Sequence, residues 1–395
     1  MQTRLQTGTM RILHICNGFI DSTVHQSLNK AIIKNGGGIE TIVYIPINYR
    51  NRYSVEDIAH LKTNGTTLLY STILGRRHRF LYKDKIKKIV ADVEMQIEDF
   101  NDIDYIHSST LCLDGAVAYE LHKRYKRPFS TSVRNTDVNA YFKWFPFYKG
   151  YFCKVLEAAS RVFFISKKYK EDFLSDLIPN QVAEVINEHC NFIPNGVDEV
   201  FLNQRPQQPK ELSSPIQLLY VGGIMKNKNI VSIVSALDLL RSEGFGIEFT
   251  VIGRGLKHRG DNQYLQIIEE LTESRSWFHI KDRVDKYSLH KQLRDFDLFI
   301  MPSHHETFGL VYVEALSQGL PIIYTKGQGF DGIFEEGHVG YHVDSNNIID
   351  IKERIKDIIN NYNQLSENVI NQSLAQFDWN SIAKEYIRIF KQHNS

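Results

Sequence analysis

A chain of 395 residues exceeds what one hydrophobic core organises, so two domains are expected. Its 42% hydrophobic and 24% charged residues exclude a disordered or fibrous chain. Lys+Arg 47 against Asp+Glu 46 leaves a net charge of +1, which excludes a global field drawing the protein onto nucleic acid and leaves any basic contact local.

Residues 1–9 are polar and lack the apolar core of a signal peptide, so they are expected to form a tail without function. No run reaches the length of a membrane-spanning helix. Cys16, Cys112, Cys153 and Cys190 are far apart, without CxxC or Cys/His zinc spacing. Free thiols in a reducing compartment follow, and a cytoplasmic protein is expected.

In chain order, short β-branched or aromatic runs at 12–15, 41–45, 67–70, 105–107, 129–133 and 162–165 alternate with helical-period segments. The stretch 203–215 gathers Pro206, Pro209 and Pro215 among Gln, Lys and Ser and reads as an exposed linker. Strand runs then resume at 217–221, 248–252, 297–301, 321–324 and 340–343, with helices notably at 229–241 and 348–361. Such alternation is that of α/β proteins, with parallel sheets covered by helices. Apolar Trp379, Ile382, Ala383, Tyr386 and Phe390 form one face of a last helix, which must dock on something and is expected to close back over the N-terminal domain. The domains are therefore expected at 10–202 and 216–375, with the linker 203–215 between them and the helix in 376–395.

The densest chemistry lies in MPSHHETFGLVYVEALSQGLPIIYT, residues 301–325, which reads as strand, loop, helix and strand. Gly309 turns the chain into the helix, and Gly319 with Pro321 ends it. Free N–H groups and the helix dipole at that N-terminus suit a phosphate, with Thr307, Phe308, Gly309 and Leu310 nearest to it. Glu306 and Glu314, eight positions apart, flank the anion and can each hold hydroxyls, a sugar on one side and a ribose on the other. The bland alternative is a capping residue and a solvated helix residue.

With PS, FG and GLP around the two glutamates, the string resembles the E-x7-E signature of the family 4 glycosyltransferases. The resemblance implies the GT-B fold, two Rossmann-like parallel-sheet domains facing a cleft. It also implies a retaining transferase that moves a sugar from a nucleotide-diphosphate sugar, a UDP-sugar above all, to a glycan or lipid-linked acceptor in cell-surface polysaccharide or lipopolysaccharide synthesis. Other segments follow the family's order over nearly the whole chain. IPNGVD at 193–198 resembles the turn ending the N-terminal domain, and LLYVGGIMKNKN at 218–229 the first strand and loop of the donor domain. Lys228 matches the family's lysine on the diphosphate, whereas Gly223 stands where the family has arginine, so Lys226 becomes the substitute candidate. Gly222 and Gly253, the latter in VIGRG, mark donor-site turns; Arg283 and Val284 fall in the loop that meets the nucleotide base. VIGRG lacks the third glycine of a dinucleotide fingerprint, which disfavours an NAD enzyme.

In the N-terminal half, Asn17 and Gly18 follow the first strand, where the resemblance implies an acceptor loop. SVRNTDVN at 132–139 puts Arg134 and Asp137 at another strand end, Arg134 standing near a family histidine. His107 is an acceptor candidate or a satisfied core histidine. The resemblance gives catalysis to Glu306, Lys228 and Arg134, which orient the sugar and stabilise the departing diphosphate, with no covalent nucleophile, no metal and no resident cofactor expected. Arg76, Arg77, Arg79, Lys83, Lys85, Lys87 and Lys88, with the aromatic run 141–154, suggest peripheral contact with an anionic membrane. Rival readings are a nucleotide-sugar epimerase and a non-catalytic nucleotide-sugar-binding subunit.

Overall fold

All pairings between named strands are parallel, as expected where buried apolar strands alternate with covering helices. The protein is described here from a computed structural model covering residues 9–50, 53–255 and 262–392. Apart from residue 9, the tail expected at 1–9 lies outside the described residues. The chain forms two compact units. One holds the chain up to Ile165, Lys170–Gly196 and the segment from Trp379 onward; the other holds Ser166–Tyr169 and Val197–Asp378.

The first unit carries β1 (Met10–Ile15), β2 (Ile39–Asn48), β3 (Thr66–Leu74), β4 (Tyr105–Ser108), β5 (Phe129–Val133), β6 (Arg161–Phe164) and β7 (Cys190–Phe192), in the order β3-β2-β1-β4-β5-β6-β7. The second carries β8 (Ile216–Val221), β9 (Ile247–Ile252), β10 (Phe278–Lys281), β11 (Leu298–Ile300), β12 (Ile322–Thr325) and β13 (Gly340–Val343), ordered β10-β9-β8-β11-β12-β13. Each sheet reverses its winding once, between β1 and β4 and between β8 and β11. The carboxyl ends of those strands are where doubly wound sheets bind ligands. Strands β7 and β10 lie at sheet edges, and neither was expected from the sequence. Cys-Asn-Phe is only partly buried, and after Phe278 the residues of β10 are exposed, so neither shows an apolar run.

The helix Trp379–Gln392 joins the first unit. Its Trp379, Ile382, Tyr386 and Phe390 share one core with Ile12, Leu28, Ile32, Tyr105 and Phe163. Asn35 Nδ2 adds a hydrogen bond to Asn380 Oδ1 at 3.0 Å. The stretch 203–215 is tied into the second unit. Buried Asp297 accepts from Ser213 Oγ at 2.9 Å and from Gln217 N at 2.7 Å, and pairs with Lys210 at 2.9 Å. Arg205 donates to the carbonyls of Val369 and Ile370, both at 3.1 Å. Proline and glutamine mark the absence of helix and strand there, not of contacts, and the units divide instead at Gly196/Val197 and Asp378/Trp379.

Candidate functional site

In the second unit the candidate donor residues lie on the loops after β8, β9, β10 and β11 and, for Leu310 and Glu314, in the helix that follows β11. The loops are held by backbone: Gly222 N–H donates to Ile252 O at 3.0 Å and Gly253 N–H to Lys281 O at 3.0 Å. A Cβ on Gly253 would overlap the Gly222 carbonyl, so this approach needs glycine. Tyr220 Oη fixes the turn by donating to Gly223 O at 2.9 Å. Asn227 bridges to the next loop, donating to His305 O at 2.9 Å and accepting from His305 N at 3.1 Å. Asn229, left-handed at φ 59, donates to Pro302 O at 3.2 Å and Ser345 O at 2.6 Å. These bonds bring Lys228 to Glu306.

Lys228 Nζ lies 2.5 Å from Glu306 Oε2, both side chains mostly buried. Glu306 Oε1 accepts from Thr307 N at 3.0 Å, and Gln328 Oε1 accepts from Glu306 N at 2.9 Å. Beyond it Gly309, at φ 77, turns into the helix Leu310–Ser317, which has no side-chain cap. A Cβ there would overlap the Tyr312 ring. Phe308 is buried against Phe330 and Phe377, which anchors the loop. Glu314, 6% exposed, sits inside the helix, its Oε1 3.6 Å from Lys286 Nζ, and Lys286 also reaches Asp198 at 2.7 Å. Burial raises the Glu314 carboxyl above its ordinary value, partly opposed by Lys286. Burial alone would lower Lys286, but Glu314 and Asp198 together hold it raised. Lys226 stays apart: it is exposed and lines, with His304 and His305, an open cavity of about 500 Å³. Arg283 is exposed and Val284 half-buried, just before the helix Lys286–Gln292.

In the first unit the strand ends hold a cationic centre among neutral groups. Arg134 Nη1 donates to Asn195 Oδ1 at 2.9 Å, and its neighbours include His14, Cys16 and Tyr386. Burial, with the Arg134 charge, brings His14 down to about 3; His25 and His107 are pushed well below their ordinary value, also by burial first. Asn17 is exposed, its N–H donating to Asp114 Oδ1 at 3.3 Å, and Gly18 borders open space. Two acceptor candidates are corrected. His107 is 2% exposed, bonded to Ser130 Oγ at 2.9 Å and packed on His14, so it belongs to the core. Asp137 is fully buried and accepts from the backbone N–H of Leu111, Cys112 and Arg134 at 2.8–3.1 Å, which uses its oxygens to hold two loops together.

The family described as Glycosyl transferases group 1 matches residues 203–375, the stretch that holds every strand of the second unit and both glutamates. This part of the chain is thus similar to the group 1 glycosyl transferases. The chain is 25% identical over 221 residues to a probable sucrose-phosphate synthase of Thermosipho melanesiensis, a match covering 53% of this chain and 51% of that protein. It is 26% identical over 192 residues to the capsular polysaccharide biosynthesis glycosyltransferase CapM of Staphylococcus aureus, covering 46% and 49%. The chain thus spans about half the length of the curated relatives it matches. Anabaena HepE, solved in complex with UDP, superposes with a TM-score of 0.72 at 14% identity over 97% of this chain and 100% of that one. Likeness at that identity carries the fold, the two Rossmann-like sheets of GT-B proteins.

In the second unit, the sequence reading missed Lys286, which pairs with the buried glutamate, Asp198, which pairs in turn with Lys286, and Asn227 and Asn229, which set Lys228. IPNGVD and the run after β10 were both noticed, but only folding brings Asp198 and Lys286 to Glu314.

Proposed function

We propose that the protein is a retaining, metal-independent glycosyltransferase that moves a sugar from a UDP-sugar to a glycan or lipid-linked acceptor in surface-polysaccharide synthesis. The observation that carries this reading is the Lys228–Glu306 pair beside the uncapped helix at Gly309. An ammonium has three N–H donors and the glutamate takes one, so two remain for the oxygens of a departing diphosphate. The amides at Leu310 and Val311 add partial positive charge on the same loop. Glu306 then orients the sugar, and Glu314 with Lys286 takes ribose hydroxyls. Fixed cations do here what a divalent ion does elsewhere, by stabilising charge as it develops. The complex of HepE with UDP supports the donor, and the capsular polysaccharide biosynthesis for which CapM is named supports the pathway.

The same reading places the reaction in the cytoplasm at a membrane's inner face. Phe80, Leu81, Trp144 and Phe147 are exposed close in sequence to Arg76–Arg79, Lys83, Lys143 and Lys149, a combination that suits an anionic leaflet. No helix among the described residues is long and apolar enough to cross a membrane.

Calorimetry with nucleoside diphosphates and their sugars tests the donor site. One nucleotide should bind the protein, and Glu314→Ala should lose it; a folded protein that binds none overturns the reading. Product anomers read by NMR, and turnover in excess chelator, test retention and metal independence. Flotation with anionic liposomes at low salt tests the membrane contact, which fails if the protein stays with the soluble fraction.

A further inference from the structure

A second charged cavity, of about 270 Å³, lies in the first unit between the end of β2, the turn Arg76–Arg79 and the helix Tyr82–Gln96. Four cations line it, Arg50, Arg76, Arg79 and Lys85, and none of its lining residues is acidic. Like charges gathered with no acidic lining residue repel one another, so the protein must hold them there. Tyr49 does so: its hydroxyl accepts from Arg50 Nε at 2.8 Å and from Arg76 Nε at 2.7 Å, and both guanidiniums lie over its ring, at 5.6 and 5.7 Å. Tyr49 is itself pinned, its N–H donating to Leu74 O at 2.9 Å. The turn is braced by Gly75 N–H donating to His78 Nδ1 at 2.7 Å. Nearby Asp84 is taken by Arg77 at 3.5 Å and His78 at 3.3 Å. Arg50, Arg76 and Arg79 have no carboxylate within ion-pair distance among the described residues. The remaining wall is aromatic, Tyr82, Tyr141 and Phe145, whose ring faces suit the C–H face of a sugar.

We propose that this cavity is a phosphate site that recognises a phosphorylated sugar acceptor. The inference rests on the transferase reading and names its acceptor class. Forked guanidiniums pair with phosphate oxygens bidentately, and the cavity is near the lower end of ligand-site volumes, about 300 Å³, which fits one phosphorylated ring and not a long glycan. Two sources share this chemistry, a soluble sugar phosphate and a lipid-linked one. Tyr82 also borders an adjacent groove lined by Ile86, Val90 and Phe147, where a hydrocarbon chain would lie in the lipid-linked case.

The test is calorimetry with inorganic pyrophosphate, a hexose 6-phosphate and decyl phosphate below its micelle concentration. It compares the full chain, Arg76→Gln/Arg79→Gln, Tyr49→Phe and Lys228→Ala. The hexose phosphate should bind the full chain and Lys228→Ala equally. It should weaken about tenfold or more, about 1.4 kcal/mol, in the double variant. Tyr49→Phe keeps all the charge but frees the guanidiniums, and should weaken binding by a smaller factor. Nucleotide binding should be unchanged in both, which separates this site from the donor site; loss of nucleotide binding by the full chain would instead sink the donor reading. Equal phosphate binding by the full chain and the correctly folded double variant overturns the proposal, as does loss of phosphate binding in Lys228→Ala. Tighter binding of decyl phosphate than of hexose phosphate identifies the lipid-linked source and the reverse the soluble one, each upholding the site.

Discussion

Two glutamates eight positions apart were readable from the sequence; which cations they would meet was not. Spacing along a helix and its leading loop is local, whereas Lys286, itself held by Asp198, comes to Glu314 from another element. Lys228 is the residue with the largest expected kinetic effect. Lys228→Ala should lower kcat/KM by about 10²–10³, the loss typical of one preorganised donor, and should also lower the melting temperature, because it leaves the mostly buried Glu306 unpaired. Gly329 tests the loop itself. Its N–H donates to Glu306 O at 3.0 Å and a Cβ there would overlap the Thr307 carbonyl, so Gly329→Ala should cost about 1–3 kcal/mol in urea unfolding and displace the Lys228–Glu306 pair. Glu314 carries a pH signature. Its carboxyl is raised in the folded protein, so the stability it contributes is full below its ordinary value and is lost as pH rises through the folded one. Glu314→Gln should therefore flatten the stability profile over that window, seen by urea titration at several pH values.

Among the elements, buried strands were legible because continuous β-branched runs leave no other reading. The edge strands β7 and β10 were not, since a half-exposed strand without an apolar run looks like loop. The final helix was legible from one apolar face, and its packing makes it a strong test. Phe390 is fully buried against Tyr105 at 4.8 Å between ring centroids, so Phe390→Ala should cost about 3–5 kcal/mol in denaturant unfolding followed by circular dichroism. The stretch 203–215 shows the converse failure: its composition excluded regular structure but said nothing of Asp297, the buried acid that gathers it.

For the whole molecule, a net charge of +1 conceals a local difference: four cations line a cavity of the first unit without an acidic lining residue, whereas in the second Lys228 and Lys286 are paired with Glu306 and Glu314. Stability toward acid follows from three histidines, two buried and one half-buried. His14, His25 and His107 have lowered folded values, so their contribution is present above the ordinary 6.5 and is lost as pH falls toward about 3 for His14. For His14 the slope is at most about 1.4 kcal/mol per pH unit in that window, and His14→Gln should remove it in equilibrium unfolding against pH. The route of the chain adds an order in time. Because the segment from Trp379 onward completes the first unit, a ribosome must make all of the second unit before the first can close. Until then the apolar surface of Ile12, Leu28, Ile32 and Phe163 waits uncovered on the nascent chain, a natural place for a chaperone to hold it.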